Sequence, residues 1–350
     1  MDNSSQRKIL RVSPACEIPQ LAGQITSALV GDGPTLGFGE ITSESAPHYA
    51  AVVVGTSGSS GASKEVALTA TALISSARAS HKFIGAKPGQ TWSLLLPLTH
   101  IAAVNVIVRS IELGTLPIDL RNHEGEYPKA DYTSIVPTQI FRALNGDVPL
   151  LNHLKSAKTV LVGGAALSQS LRNQAELAGI KVITTYGMTE TCGGCVYDGE
   201  VLDGVEVEIR NGKINIRGPI LASSISLDAG WYETSDLGEI VDEKLLVLGR
   251  ADDVIISGGE NLSLHAVEES LSKAFPDIQS AAFAIEDPQW GHSLQIAIVG
   301  EVSDELISNH LEKELGAFAK PKGIHHLASL PLLGIGKVDR KALAKGISHE

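Results

Sequence analysis

The chain has little cysteine, no concentrated positive charge and no long apolar run, and each shortage removes a class of function. Only Cys16, Cys192 and Cys195 occur among 350 residues, too few for a disulfide framework. Cys192 and Cys195 have a C-x-x-C spacing, but no second ligand pair accompanies them. They lie in a glycine-rich segment and do not open a thioredoxin-like helix, so they read as free thiols lining a loop. Lysine and arginine number 28 against 40 acidic residues, a net charge of −12, and no basic run stands out. That balance argues against nucleic acid or an acidic membrane as partner. No apolar stretch reaches the roughly 20 residues of a membrane-spanning helix. The first residues, MDNSSQRKILRVS, lack the apolar core of a signal peptide. The expectation is a soluble, cytoplasmic protein without a membrane span.

What is present has the texture of a globular α/β chain: 43% hydrophobic and 19% charged residues, and length enough for two domains. Residues 1–49 are weakly patterned, with one candidate helix at 20–30. Candidate strands at 91–96, 132–136, 159–162 and 182–185 alternate with candidate helices at 65–84, 100–113, 137–144 and 167–178. Such alternation predicts parallel sheets flanked by helices. From residue 205 short alternating segments at 205–210, 213–217, 239–241 and 245–248, with an Asn211-Gly212 turn, predict a compact antiparallel β region. After the polar stretch Gly249-Arg250-Ala251-Asp252-Asp253 come a strand at 254–256, a helix at 264–274, strands at 280–285 and 295–299, a helix at 304–315 and a strand-like piece at 325–330. The predicted division is a large α/β domain over 1–250, its β-rich part about 200–250, and a small mobile α+β domain over 251–350.

The chemistry starts at residues 52–64, VVVGTSGSSGASK. A short apolar run ends in Thr56, Ser57, Gly58, Ser59, Ser60 and Gly61, followed by Lys64. Glycines let backbone N–H groups approach an anion, hydroxyls add donors, and the lysine brings a point charge for a phosphate. No Gly-Lys-Ser/Thr step occurs, so this is not a Walker A loop. A strand leads in, and a helical pattern over 64–81 is expected to lead out.

Three further segments offer ligands for the same nucleotide. Tyr186-Gly187-Met188-Thr189-Glu190-Thr191 follows a strand directly, where α/β proteins place ligands. The Tyr186 ring can stack on a base, Thr189 can donate to a phosphate, and Glu190 offers a hard oxygen for Mg²⁺. Standing alone, this motif would be better read as a strand-to-helix turn with an N-capping threonine. Gly163-Gly164-Ala165 ends its own strand in the same way. In Trp231 to Gly238, WYETSDLG, Asp236 between β segments can bond both ribose hydroxyls, and Arg250 can reach the ribose or a phosphate. A turn aspartate and a surface ion pair are the plainer readings of these two. Lys337 sits between glycines in PLLGIGK and matters only if the small domain folds over the large one.

Together and in this order, the segments resemble the adenylate-forming superfamily of acyl-CoA synthetases, adenylation domains and luciferases. The resemblance covers residues 52 to 340. Two departures appear: Ser63 stands where the family commonly has proline before the loop lysine, and only about fifty residues precede the loop, so a subdomain is expected to be trimmed. Within the superfamily the chain is most similar to the o-succinylbenzoate–CoA ligases of menaquinone biosynthesis in their short actinobacterial form. LLLPLTHIAAVNVIVRS (94–110), SIVPTQIFRAL (134–144), VLVGGAALS (160–168) and TYGMTETCGGCVYDG (185–199) carry that similarity.

The resemblance implies an AMP-forming acid–thiol ligase using ATP, Mg²⁺ and coenzyme A on a small-molecule acid, and leaves a homodimer open. Thr56, Ser57, Gly58, Ser59, Ser60, Gly61 and Lys64 would hold the β- and γ-phosphates. Thr189 would touch the α-phosphate, Glu190 would hold the metal, and Gly164, Ala165, Tyr186, Gly187, Asp236 and Arg250 would border the nucleotide. Lys337 would bridge the attacking carboxylate and the α-phosphate. His100 would border the acyl pocket and Arg109 would bind a carboxylate of the acid. Asp252 would be the hinge, and Gly258 and Gly259 would line the pantetheine channel. A dicarboxylate needs a cation for the group that does not react, and Arg109 is the one Lys or Arg in its apolar helix, although a helix-end surface charge is the plainer alternative. The competing readings are another aromatic or dicarboxylic acyl-CoA synthetase, a nucleotide-binding protein without ligase activity, and a phosphotransferase.

Overall fold

A computed structural model describes residues 6–57, 63–257, 260–287, 291–333 and 338–347. The apolar run at 50–54 becomes the strand Ala50–Ser57, which lies parallel to Thr35–Phe38, itself parallel to Gln6–Arg11. Ser45–Pro47 closes the outer edge antiparallel. Residues 1–49 thus hold three strands besides the expected helix, Ile18–Val30. These strands are only three to six residues long, and Thr35–Phe38 is buried at every position. Neither property leaves an alternating pattern to detect.

The glycine-rich stretch is not followed by a helix. Ser63–Thr69 is a strand that returns antiparallel along Ala50–Ser57, pairing Thr56 with Lys64 and Val54 with Val66. The Thr56 hydroxyl donates to the Lys64 carbonyl across this hairpin (3.1 Å). Cross-strand pairing and the burial of Val66, Ala67 and Leu68 outweigh the helical spacing of the Ala/Ser-rich sequence. The helix starts at Ala70 and runs to Ile84, its N-terminus capped by Thr69 Oγ1 accepting from the Ala72 N–H (3.0 Å).

The second sheet has a parallel centre of Ile118–Asp119, Trp92–Leu94, Tyr132–Ile135, Thr159–Val162 and Val182–Met188. Helices Ile101–Glu112, Pro137–Leu144 and Gln169–Leu177 match expectation, and Val148–Ser156 is an additional one. Two features differ. Tyr186-Gly187-Met188 does not turn away from the strand but continues it, and after a 3₁₀ turn at Thr189–Thr191 the chain comes back antiparallel as Gly193–Tyr197. The sheet is therefore mixed. The register shifts between Tyr186 and Gly187, and a Cβ on Gly187 would fall 2.0 Å from the Gly193 carbonyl oxygen, so the close crossing requires glycine. Cys192 and Cys195 are free and belong to the apolar core, where burial pushes both thiols up, Cys195 to about 12. They do not line an open loop, because the strand after the turn packs under the helix Ala70–Ile84.

The third sheet is the antiparallel series Glu206–Arg210, Lys213–Arg217, Tyr232–Val241 and Lys244–Arg250, with the Asn211-Gly212 turn at φ 52° and 75°. Thr234-Ser235-Asp236, expected between β segments, lies inside the ten-residue strand Tyr232–Val241. Beyond Asp253 the chain builds a fourth sheet from Val254–Ser257, Glu260–Ser263, Gln279–Asp287, Gly291–Val299 and Gly323–His326. Helices Leu264–Ala274 and Asp304–Leu315 share with it an apolar cluster drawn from residues 255–324. Arg340 ties the last helix, Arg340–Ile347, to this unit through Asp253 (3.1 Å), Glu268 (2.9 Å) and the Ala282 carbonyl (2.9 Å). No helix among the described residues is long and apolar enough to cross a membrane.

Two stability tests follow from local features. Thr69→Ala should lower stability by about 1 kcal/mol, read as a lower urea midpoint at unchanged m-value. His81, packed against the Trp92 ring at 6.2 Å, is held to about 4, first by burial and then by the Arg109 charge, against 6.5 in an unfolded chain. The unfolded chain therefore binds the extra proton between pH 6.5 and 4, and stability is complete above pH 6.5 and declines as pH falls toward 4. Thermal melts across that window should show His81→Gln with a shallower decline than the parent by about 2–3 kcal/mol.

Candidate functional site

The candidate ligands meet where the 3₁₀ turn Thr189–Thr191 faces the hairpin that carries Lys64. Lys64 Nζ stands 3.2 Å from Glu190 Oε1, its side chain 53% exposed against 15% for Glu190. The turn is braced from within: Thr191 Oγ1 accepts from the Met188 N–H (2.9 Å), and the Glu190 carbonyl accepts from Ala222 N–H (2.8 Å). The Glu190 carboxylate is thereby aimed at a cation by a backbone that cannot easily swing away.

A second group lies on the strand Tyr232–Val241. Its period of two puts Tyr232, Thr234 and Asp236 on one inward face, while Glu233 and Ser235 are exposed. Asp236 is 8% exposed. Its Oδ2 accepts from the Tyr186 hydroxyl (2.8 Å), and its Oδ1 lies 3.6 Å from Arg250 Nη1. Tyr186 is held protonated, its pKa raised by burial and by Asp236 beside it. Arg250 gives its main contact to Asp252, with Nε and Nη2 on the two carboxylate oxygens at 2.8 and 2.9 Å. This bond to Asp252, more than Asp236, raises its pKa. Tyr232 is pushed up to about 12, first by burial and then by the charges of Glu190 and Asp236. Beside it an open cleft of about 510 Å³ runs from Lys64 along Ser226, Asp228 and Glu233.

The expected phosphate, metal and ribose ligands Thr56, Lys64, Thr189, Glu190, Tyr186, Gly187, Asp236 and Arg250 therefore fall in adjoining segments. Gly164 and Ala165 are exposed at the end of Thr159–Val162, with Gly164 at φ 82° and Gly163 against Thr185 of the neighbouring strand. Gly58, Ser59, Ser60, Gly61, Gly258, Gly259 and Lys337 lie outside the described residues, as does the side chain of Ser57. Among the described residues no three His, Cys, Asp or Glu side chains group as a metal site. A single carboxylate such as Glu190 still suits Mg²⁺, which usually keeps waters and takes its other ligands from bound phosphates.

His100 and Arg109 are not brought together. His100 precedes the helix Ile101–Glu112 and Arg109 lies in its last turn, roughly 13 Å along the axis. Arg109 is not a helix-end surface charge: it is 4% exposed. Its Nη2 donates to the Tyr197 hydroxyl (3.0 Å) and its Nη1 to Ser134 Oγ (3.4 Å), while its guanidinium carbon lies 5.1 Å from the centre of the Trp92 ring. Among the described residues its Nε has no partner and no carboxylate pairs with it.

Sequence reasoning missed Tyr232, Tyr197, Ser80 and Ser134. Tyr232 was detectable from the two-residue period shared with Asp236. The other three are joined by contacts up to 117 residues apart in sequence, for which no local signal exists. Glu65 was also missed: it accepts from the N–H groups of Thr42 and Ser43 and bonds the Thr42 hydroxyl. These bonds hold its pKa down to about 2 despite its burial, and they anchor the hairpin base.

Comparison with known proteins places this geometry. The family described as AMP-binding enzyme matches residues 21–220. A protein of Mycobacterium tuberculosis named "Probable 2-succinylbenzoate--CoA ligase" is 38% identical over 331 residues, covering 86% of this chain and 85% of that one. A variant of Escherichia coli MenE solved with bound OSB-AMS superposes with a TM-score of 0.76 at 24% identity, covering 97% of this chain and 82% of that one. The o-succinylbenzoate CoA synthetase of Bacillus subtilis, in complex with the acyl-adenylate intermediate OSB-AMP, gives a TM-score of 0.73 at 24% identity, covering 92% and 80%. At that identity the two structures speak for a shared fold. With more than half its length matched, and with its candidate nucleotide ligands in adjoining segments, the chain belongs to the AMP-binding enzyme family.

Proposed function

We propose that this chain is an ATP-dependent o-succinylbenzoate–CoA ligase of menaquinone biosynthesis. The observation that carries the reaction class is the line of polar groups from Lys64 and Glu190 to Tyr186, Asp236 and Arg250. It offers a cation for phosphate, a hard oxygen for a metal and a buried carboxylate for a ribose, in the order in which a nucleoside triphosphate presents these groups. The buried Arg109, which pairs with no carboxylate among the described residues, favours an acid with two carboxylates, and the name of the M. tuberculosis relative supports the same acid.

In this reading the substrate carboxylate attacks the α-phosphorus and pyrophosphate leaves. Thr56 and Lys64 hold the departing phosphates, the hydroxyl as a donor and the lysine as a charge, and Thr189 donates to the α-phosphate as charge builds on its oxygens. Mg²⁺, held by Glu190, would supply further charge neutralisation there. Asp236 takes the ribose hydroxyls, exchanging its bond from Tyr186 for bonds from the sugar. Lys337 serves the adenylation step from the small domain, for which the division near residue 250 is the proposed boundary. The CoA thiol then attacks the acyl carbonyl and AMP leaves. For that step the small domain turns about Asp252 and presents Gly258 and Gly259 to the pantetheine arm. In the described structure the Arg250–Asp252 bidentate pair spans this junction and would have to strain or break when it turns.

The test is chromatography of products after incubation with ATP, Mg²⁺, CoA and o-succinylbenzoate. AMP together with a new acyl-CoA is the expected result, and ADP in place of AMP would overturn the reading in favour of a phosphotransferase. Glu190→Gln should slow pyrophosphate release about a hundredfold. Asp252→Pro should spare pyrophosphate release more than thioester formation, measured as separate half-reactions, and equal losses would remove Asp252 from the hinge role.

A further inference from the structure

A buried arginine cannot shed its charge, so a fold that leaves one without a carboxylate must hold it by other means or supply its anion from outside. Arg109 is held by hydrogen bonds that end at neutral groups. Its Nη2 donates to Tyr197, whose hydroxyl oxygen also lies 2.9 Å from Ser80 Oγ on the helix Ala70–Ile84. Tyr197 is 0% exposed, and Phe83 stands edge-on to its ring at 5.3 Å and 78°. The guanidinium also lies over the Trp92 ring at 5.1 Å. With Ser134 Oγ at 3.4 Å from Nη1, the guanidinium is thus held from three strands, with Ser80 and Phe83 acting through Tyr197.

We infer that Tyr197, backed by Ser80, is a positioning residue that sets the Arg109 guanidinium toward the non-reacting carboxylate of the substrate, and so determines the preference for two carboxylates over one. This rests on the reading of Arg109 as the ligand of that carboxylate. A guanidinium free to turn about its long side chain would pay its ordering cost at each binding event, whereas one already held by Tyr197 has paid it in folding. The hydroxyl bond also leaves the formal charge of Arg109 uncompensated, which a carboxylate partner in the same place would have cancelled. Tyr197 is therefore suited to hold the cation without weakening its attraction for the substrate.

The experiment measures pyrophosphate release by the full chain with o-succinylbenzoate and with 4-oxo-4-phenylbutanoate, which lacks the ring carboxylate, alongside thermal melts. The wild type should prefer the dicarboxylate, and Arg109→Met should erase that preference. Tyr197→Phe keeps the ring against Phe83 and removes only the hydroxyl. It should lower kcat/KM for the dicarboxylate roughly tenfold, chiefly through KM, and shrink the selectivity ratio toward that of Arg109→Met. Ser80→Ala should shift the ratio in the same direction by a smaller factor. Equal losses on both acids with Tyr197→Phe, or an unchanged ratio while Arg109→Met erases it, would overturn the role of Tyr197 alone. A wild type that releases pyrophosphate with neither acid would overturn the ligase reading and this inference with it.

Discussion

The site depends on one backbone event: a strand of a parallel sheet that runs past its neighbours, turns through four residues and comes back antiparallel along itself. Val182–Met188 and Gly193–Tyr197 can approach this closely because Gly187 has no side chain to meet the Gly193 carbonyl. The short turn between them carries Thr189 and Glu190, and its internal bonds leave the Glu190 side chain beside Lys64. The same return strand delivers Tyr197 to Arg109 and buries both cysteines. A larger residue at position 187 would disturb the turn that carries Glu190 and the return strand that carries Tyr197 to Arg109 together.

Charge placement in the site follows a consistent logic. Groups expected to meet phosphate or metal are partly exposed and weakly tied, as with Lys64 at 3.2 Å from Glu190. Such an exposed pair contributes little to stability, so exchanging it for ligand contacts costs little. Groups that must keep one geometry are buried and held by several bonds, as with Asp236 between Tyr186 and Arg250, or Arg109 between Tyr197, Ser134 and Trp92. Here the bonds within the fold offset the desolvation cost of the buried charge.

The junction after Arg250 shows the same economy. Asp252 and Asp253 are adjacent but face different ways, Asp252 to Arg250 and Asp253 to Arg340. Arg340 in turn gathers Glu268 and the Ala282 carbonyl, so the last helix is fastened to the sheet around residues 254–299. One carboxylate pairs with the strand before the junction and its neighbour with the last helix.

The sequence by itself determined the elements whose signal is local. Helices Pro137–Leu144, Leu264–Ala274 and Asp304–Leu315 and the strands Thr159–Val162 and Lys213–Arg217 stand where periodicity, proline and capping residues put them. The order of short motifs likewise pointed to the enzyme family. Only the tertiary structure decided that Ser63–Thr69 is a strand and not the first turns of a helix, because its partner strand supplies the pairing that the Ala/Ser-rich spacing conceals. It also decided that Tyr186 bonds Asp236, and that Arg109 is a buried cation held by Tyr197 and Ser134. These contacts join residues 25 to 88 positions apart. Their energies come from desolvation and geometry that exist only once the sheets have packed, and no window of sequence contains both partners.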